Sequence, residues 1–357
     1  MIDRELHLEA RYYYSKTKGE ERRLYEFMTE RIRRLELEFY VVLYEDSIPE
    51  DEHSKALPHF VMNYDAEYGY PDVVSVYSGI LFDFPELYYV DRSSISYELS
   101  GLVKIGDGKP EYTPEEISAY DKALTEIVSR FDGITDDLEL ELAAHAFVTE
   151  SYAYDTEHSA RVGREADEVF NVIGLLERRY AVCEAYTDML QLILQLHGIP
   201  CVHVLGESLD DGILHAWLLV RIRGEWYHLD PTGNDAEITD PEIPKNTYFN
   251  ITDEEMCLEY DYDPDRYGIK CTSTVCDYYR INGRFFDTPR GITAAISAFL
   301  DEAERDGRSG KLYYHLKAPA LSESEVENAI KTAIRGRVTD AYSYNFAGGY
   351  CVLTCSL

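Results

Sequence analysis

No run of 18 apolar residues occurs in the 357-residue chain, so no transmembrane helix is expected. The first residues, "MIDRELHLEARYYY", hold no apolar core of a secretion signal. The chain as it stands therefore reads as cytoplasmic, and a leader trimmed from a longer precursor would make it extracellular. Positive charge is scarce: 34 Lys and Arg face 67 Asp and Glu, a net charge of −33. Such a chain repels phosphate backbones and anionic lipid, which argues against nucleic-acid binding and membrane insertion. The acidic residues are scattered, so solubility accounts for them better than attraction of basic peptides does. Cysteine is limited to seven residues, an odd number, which argues against a full disulfide framework and fits a reducing compartment. Neither Cys271-x4-Cys276 nor Cys351-x3-Cys355 has C-x2-C spacing or an H-x3–5-H partner, so no structural zinc is expected. H-E-x-x-H, P-loop, G-x-G-x-x-G and G-x-S-x-G patterns are all missing, and no cofactor is implied.

What is present falls into three regions. An N-terminal α/β unit, residues 1–133, reads as helix ("KGEERRLYEFMTERIRRLE"), strand ("LEFYVVLYE") and helix ("PDVVSVYSGILFDFP"). Two or three short strands follow in "ELYYVDRSSISYELSGLVKIGDG". A further helix has Thr113 as N-cap, Pro114 at its first position, Glu116 completing a capping box and Gly133 beyond its end. Residues 134–288 form the middle region, opened by a helix in "DLELELAAHAFVTESYAYD". A C-terminal α/β unit, 289–357, reads helix, strand, helix, strand, strand. That order repeats the first region's, which suggests two related or convergent small units and requires them to share a strand order. In "GYCVLTCSL" the cysteines fall on one strand face, where packing is the default.

The middle region carries the chemistry. In "YAVCEAYTDMLQLILQLHGIP" the apolar residues Val182, Tyr186, Met189, Leu190, Ile193 and Leu196 recur at helical spacing. Gly198 and Pro200 end the helix. Cys183 thus lies in the first turn, where unpaired N–H groups and the helix dipole favour a thiolate and can receive an oxyanion. Taken alone, a free cysteine is more often packing. The next segment, "ILHAWLLVRIRGEWYHLDPTGND", reads as two strands about a tight turn. A two-residue turn at Arg223-Gly224 matches the apolar faces and makes His215 and Asp230 diagonal neighbours, roughly 7–8 Å apart between backbones. A three-residue turn would put them on opposite faces. The pairing suits a general base and its orienting partner, so Cys183, His215 and Asp230 are candidate nucleophile, base and orienter. Asp230-Pro231-Thr232-Gly233 also suits plain turn chemistry, and Trp217 suits a core position. Cys201, His145 and His203 read as ordinary core or surface residues.

The residues "AVCEAYTDMLQLILQLHGIPCVHVLG", "HAWLLVRIRGEWYHLDPTGND" and "YFNITDEEM" resemble the transglutaminase-like superfamily of bacterial proteins. "CDYYRINGRFF" resembles the segment that closes that domain, and "FPELYYV" the N-terminal part. The resemblance covers most of 134–288 and part of 1–133. It implies a papain-like α+β core, with the cysteine helix packed on an antiparallel sheet that carries histidine and aspartate. It also implies a Cys–His–Asp triad on Cys183, His215 and Asp230. Ala185 stands where the family often has Gly, and Leu218 where it often has Asn. Trp217, Tyr180 and Tyr186 are candidate substrate-binding residues. Tyr152 and Asp155 are weaker cleft-wall candidates, since "SYAYD" reads more readily as a surface loop.

Three functions fit. The first is a thiol acyl-transfer enzyme acting on a peptide or side-chain amide through a thioester, resolved by water (peptidase or amidase) or by an amine (transglutaminase). The resemblance to bacterial relatives implies hydrolysis as the commoner outcome. The second is a silent scaffold binding peptide or cell-wall material. The third is another acyl-transfer class with the same triad, such as an arylamine acetyltransferase or a glycanase. The expected partner is a peptide or protein substrate, and nothing in the sequence sets an oligomeric state.

Overall fold

The strand and helix signals of the first hundred residues resolve into one small sheet with a helix packed on it. The computed structural model describes residues 5–43, 55–64, 67–90, 95–98, 101–235, 241, 244–308, 310–338 and 342–356. The first sheet comprises β1 (Phe39–Val42), β2 (His59–Val61), β3 (Ile95–Glu98) and β4 (Leu102–Ile105). Their order is β2-β1-β4-β3, with β1 parallel to β2 and antiparallel to β4. Helix α1 (Gly19–Arg33) sets Phe27 edge-on against Phe39 at 5.6 Å between ring centroids, and tilted against Phe60 at 5.3 Å. Helix α2 (Val73–Asp83) follows Pro71 as expected and is capped by the Asp72 carboxylate, which accepts the Val74 N–H at 3.1 Å. The start of "ELYYV" forms a 3-10 turn, Pro85–Leu87, and not a strand; Pro85 has no N–H for a ladder and its φ suits a turn. Residues 91–94 of that stretch lie outside the described residues.

Contacts divide the chain into two units, Met1–Gly206 with Ile213–Gly224, and Glu207–Gly212 with Glu225–Leu357. The first unit continues with α3 (Pro114–Val128), α4 (Asp137–Ser151), β5 (Ala153–Tyr154), α5 (Val172–Arg178), β6 (Tyr180–Ala181) and α6 (Cys183–Gln195). The Thr113–Glu116 capping box of α3 is present, and Asp136 caps α4 by accepting the Glu139 N–H at 3.0 Å. After α6 come β7 (Cys201–Ser208) and β8 (Leu214–Ile222), which are neighbours in one sheet.

Helix α6 differs from its pattern. An apolar stripe predicts one dry face, yet every residue from Ala185 to Gln195 is buried. Its polar side chains are buried because each has a partner. Thr187 Oγ1 donates to the Ala216 carbonyl at 3.1 Å, and Gln191 Nε2 donates to the Phe82 carbonyl at 2.7 Å. Gln195 Nε2 donates to the Cys201 carbonyl at 3.3 Å, and its Oε1 accepts from the fully buried Arg11 at 2.5 Å. The Arg11 guanidinium also binds Glu86 at 3.1 Å and the Asp83 carbonyl, and lies 4.4 Å from the centroid of the Phe84 ring. Each such group left unpaired would cost about 1–3 kcal/mol, so this polar lattice fixes where α6 ends.

In the second unit β9 (Glu225–Leu229) pairs antiparallel with β10 (Phe249–Ile251). Helix α7 (Asp253–Met256) opens on a Thr252–Glu255 capping box, and β11 (Tyr260–Asp261) pairs with Glu207 and Ser208. Then come α8 (Tyr278–Ile281), α9 (Pro289–Arg305), β12 (Lys311–Lys317), α10 (Glu323–Ile334), β13 (Ser343–Ala347) and β14 (Tyr350–Ser356). The last three strands form an all-antiparallel sheet of order β12-β14-β13. Ile292, Ile296 and Leu300 of α9 and Val326 and Ile330 of α10 pack with Leu316, Leu353, Cys351 and Cys355. Both cysteines of "GYCVLTCSL" are thus packing residues, each apolar side chain here stabilising by about 1.5–3 kcal/mol.

The fold class is α+β, as expected. The suggestion of two related end units fails. The first sheet has four strands and one parallel pair, whereas the last has three antiparallel strands in another order.

Candidate active site

Cys183 is the first residue of α6 and is half-buried. The N-cap is Val182, in extended backbone, whose side chain has no acceptor for the first-turn N–H groups. The Val182 N–H itself donates to the Val169 carbonyl at 3.0 Å, which ties the helix start to the preceding segment. Among the described cysteines Cys201, Cys271, Cys276, Cys351 and Cys355 are buried, while Cys257 is exposed. Burial pushes the Cys201 thiol well up, so it is an inert core residue as expected.

His215 lies on β8, half-buried, with its ring stacked on Trp217 at 5.9 Å between centroids. Stacking of residues two apart agrees with their assignment to one strand face. The Thr187–Ala216 hydrogen bond joins α6 to β8 one turn from Cys183 and one residue from His215. Thr187 is four residues from Cys183, hence on the same side of the helix. The turn after β8 has two residues, Arg223 and Gly224, with φ of 51° and 89°. Positive φ at both positions is the type I′ signature, with Gly at the second position.

Asp230 follows β9 in the second unit and is fully buried. Its Oδ1 accepts the N–H groups of Thr232 at 2.9 Å and Gly233 at 3.1 Å, so the turn chemistry read from the sequence is present. Its own N–H donates to the Tyr248 carbonyl at 3.1 Å. Gly233 is needed there for space: a Cβ would sit 2.6 Å from the Tyr248 ring and 3.0 Å from Asp230 Oδ2.

The aromatic candidates separate by burial. Tyr186 and Trp217 are each 0 % exposed, so they support the region from behind and offer no face to a substrate in this state. Tyr180 is half-buried, donates to Glu165 at 3.2 Å and carries the Arg161 guanidinium 4.7 Å from its ring centroid. Arg161 is held by both oxygens of Asp155, at 3.0 and 3.1 Å. That ion pair keeps the Asp155 carboxyl below its ordinary pKa. The surface-loop reading of "SYAYD" is therefore wrong. Tyr152 and Asp155 are buried, and β5 runs parallel to β6, the strand that leads into Cys183. Reading by local spacing missed Arg161, which has no periodic signal. It also missed the partner of His203, whose Nδ1 lies 3.2 Å from buried Asp188. Beyond Val169, Phe170 and Asn171 line a pocket of about 700 Å³ with Tyr88, Tyr112, Arg164 and Asp167.

Cys183 at a helix start and His215 on the strand bonded to that helix belong to the first unit, and Asp230 in its tight turn belongs to the second. All three fall within residues 125–231, which match the family model described as the Transglutaminase-like superfamily. The chain carries a transglutaminase-like domain in that stretch. It is 24% identical over 144 residues to the kyphoscoliosis peptidase of Mus musculus, covering 36% of this chain. The chain spans about a fifth of that relative's length, 21%. Solved structures that overlap it include a candidate cysteine protease of Cytophaga hutchinsonii, at TM-score 0.26 and 14% identity. That overlap covers 39% of this chain and 61% of the other. A structure described as a TGase overlaps at TM-score 0.31 and 16% identity, covering 44% of this chain and 47% of the other. Among the described residues no helix is long and apolar enough to cross a membrane.

Proposed function

We propose that this chain is a thiol acyl-transfer enzyme with Cys183 as nucleophile, His215 as general base and acid, and Asp230 as the group that orients His215. The core assigned to it is residues 134–288, flanked by 1–133 and 289–357. The observation that supports this most directly is the Thr187–Ala216 hydrogen bond, which fastens the helix opened by half-buried Cys183 to the strand of His215. Asp230 Oδ1 accepts the Thr232 and Gly233 N–H groups, which fixes its carboxylate within the turn.

In this reading His215 takes the Cys183 proton as sulfur adds to an amide carbonyl. The helix-start N–H groups receive the developing oxyanion. Collapse breaks the C–N bond, His215 returns the proton to the leaving amine, and a thioester remains. Water then releases a carboxylic acid, or an amine forms a new amide. The relative described as a peptidase favours hydrolysis of peptide bonds. A silent scaffold would need neither an accessible thiol at a helix start nor a histidine on the strand bonded to that helix.

The test is labelling of native protein by a small thiol electrophile across pH, in wild type, Cys183→Ser and His215→Ala. Cys183 is expected to react faster than exposed Cys257 and to slow when His215 is lost. A Cys183 that reacts no faster than Cys257 and ignores His215 sinks the proposal. Peptide cleavage, ammonia release and amine incorporation, assayed in parallel, then separate peptidase from transglutaminase.

A further inference from the structure

A second cluster of reactive side chains lies within the second unit. His228, Asp253 and Cys271 each present a ligand atom, and these atoms all lie within 4.8 Å of one another. His228 Nε2 is 2.9 Å from Asp253 Oδ1. Asp253 Oδ2 accepts the Cys271 N–H at 2.8 Å, and the Asp253 N–H donates to the Cys271 carbonyl at 2.8 Å. The segment bearing Cys271 is thus pinned twice to the first residue of α7. Cys257 comes four residues after Asp253, and its N–H bonds the Asp253 carbonyl at 3.0 Å, so both side chains leave one face of the same turn. Cys257 Sγ lies 3.7 Å from the Tyr262 carbonyl oxygen, and the Tyr262 ring stands edge-on to His228 at 5.1 Å between centroids.

A catalytic thiol is excluded here, since Cys271 is 1 % exposed and no substrate reaches it. The His228 side chain is fully buried, so its Nε2 faces the Asp253 carboxylate and not solvent. Lys270, which bears on Asp253 electrostatically, is itself engaged at 2.6 Å with Asp265. An imidazole, a carboxylate and a thiol whose ligand atoms lie within 4.8 Å of one another form a ligand set.

We infer that His228, Asp253 and Cys271 bind a divalent cation of the zinc class. Mixed nitrogen, oxygen and sulfur donors suit zinc, whereas calcium and magnesium require oxygen ligands in larger number. On binding, the Cys271 thiol releases its proton to solvent, and the His228 ring proton resides on Nδ1 while Nε2 takes the metal. The bond lengths of zinc sites, about 2.0–2.3 Å, require the His228–Asp253 contact to open by roughly half an ångström. The ion would brace β9 two residues before Asp230. The inference stands whether or not Cys183 is a nucleophile. It departs from the expectation of no structural zinc, which rested on cysteine spacing and the missing H-x3–5-H partner.

The experiment uses the full chain, purified without chelator or polyhistidine tag. Zinc is measured by elemental analysis in wild type, Cys271→Ser and Asp253→Asn. About one zinc per chain is expected in wild type, with loss in Cys271→Ser. Half-buried Asp253→Asn should keep the fold by circular dichroism and weaken zinc at least roughly tenfold. Cobalt substitution of the wild type should give a thiolate-to-cobalt charge-transfer band that Cys271→Ser lacks. Wild-type protein free of zinc, with a Tm unmoved by added zinc or by chelator, overturns the inference. Full zinc occupancy in a folded Cys271→Ser overturns it as well.

Discussion

Thr187→Val replaces a hydroxyl with a methyl of nearly the same shape and removes the bond that ties the Cys183 helix to the His215 strand. Thr187 is fully buried and donates to the Ala216 carbonyl at 3.1 Å. The substitution forfeits about 1 kcal/mol for the bond and leaves a buried carbonyl short of a donor, so the expected total is about 1–3 kcal/mol. Urea unfolding measures that change, with Thr187→Ser as the control that keeps the hydroxyl. The functional consequence is separable. Loss of this tie should let α6 shift against β8, so Cys183 labelling should slow and lose part of its dependence on His215. A displacement near 1 Å is enough to cost about a hundredfold in a positioned reaction. If Thr187→Val is destabilised as expected but labels at the wild-type rate, the bond has no positioning role. If neither quantity changes, the packing of α6 on β8 rests on other contacts and the reasoning is refuted.

Three further outcomes are expected. Gly233→Ala places a Cβ 2.6 Å from the Tyr248 ring and 3.0 Å from Asp230 Oδ2, so activity should fall well beyond any change in circular dichroism; wild-type turnover would show that Asp230 does not act through this geometry. Burial raises the Asp83 carboxyl from 3.8 to about 6, so the native state holds its proton more tightly than the unfolded chain does. That contribution, about 3 kcal/mol, is full below pH 4 and lost as pH rises through 6. Urea titrations of wild type and Asp83→Asn over this range should therefore differ in slope, and equal slopes contradict the assignment. Lys317→Met removes the buried partner of Asp277, bound at 2.6 Å, and of Glu255, leaving two carboxylates without their cation. The second unit should lose about 3–5 kcal/mol by denaturant unfolding, and a change within 1 kcal/mol would show the pair to be dispensable.

The elements were largely legible in the sequence because their signals are local. The Thr113 capping box, the glycine and proline that end α6, and the alternation along β8 act over a few residues, and the helices and strands fall where those signals place them. The two-residue turn at Arg223-Gly224 was legible for the same reason, since Gly supplies a backbone that few other residues adopt. Burial was less legible. Periodicity identified the apolar side of α6 but could not show that Gln191 and Gln195 are sealed as well. Their partners, Phe82, Cys201 and Arg11, come from distant segments. For Trp217 the sequence leaves core and substrate-binding roles both open, and packing covers it and Tyr186 alike.

The sequence by itself determined the kind of chemistry on offer: a cysteine at a helix start, a histidine on the following strand and an aspartate in a turn, all within short-range patterns. Tertiary structure alone decided what those patterns could not encode. It joined Thr187 to Ala216, seated Arg161 between Asp155 and Tyr180, and drew His228, Asp253 and Cys271 together from three separate segments. The physical reason is range. Capping, turn and alternation preferences are settled between near neighbours, whereas a buried polar group is satisfied by whichever distant residue the packed fold brings within hydrogen-bond reach.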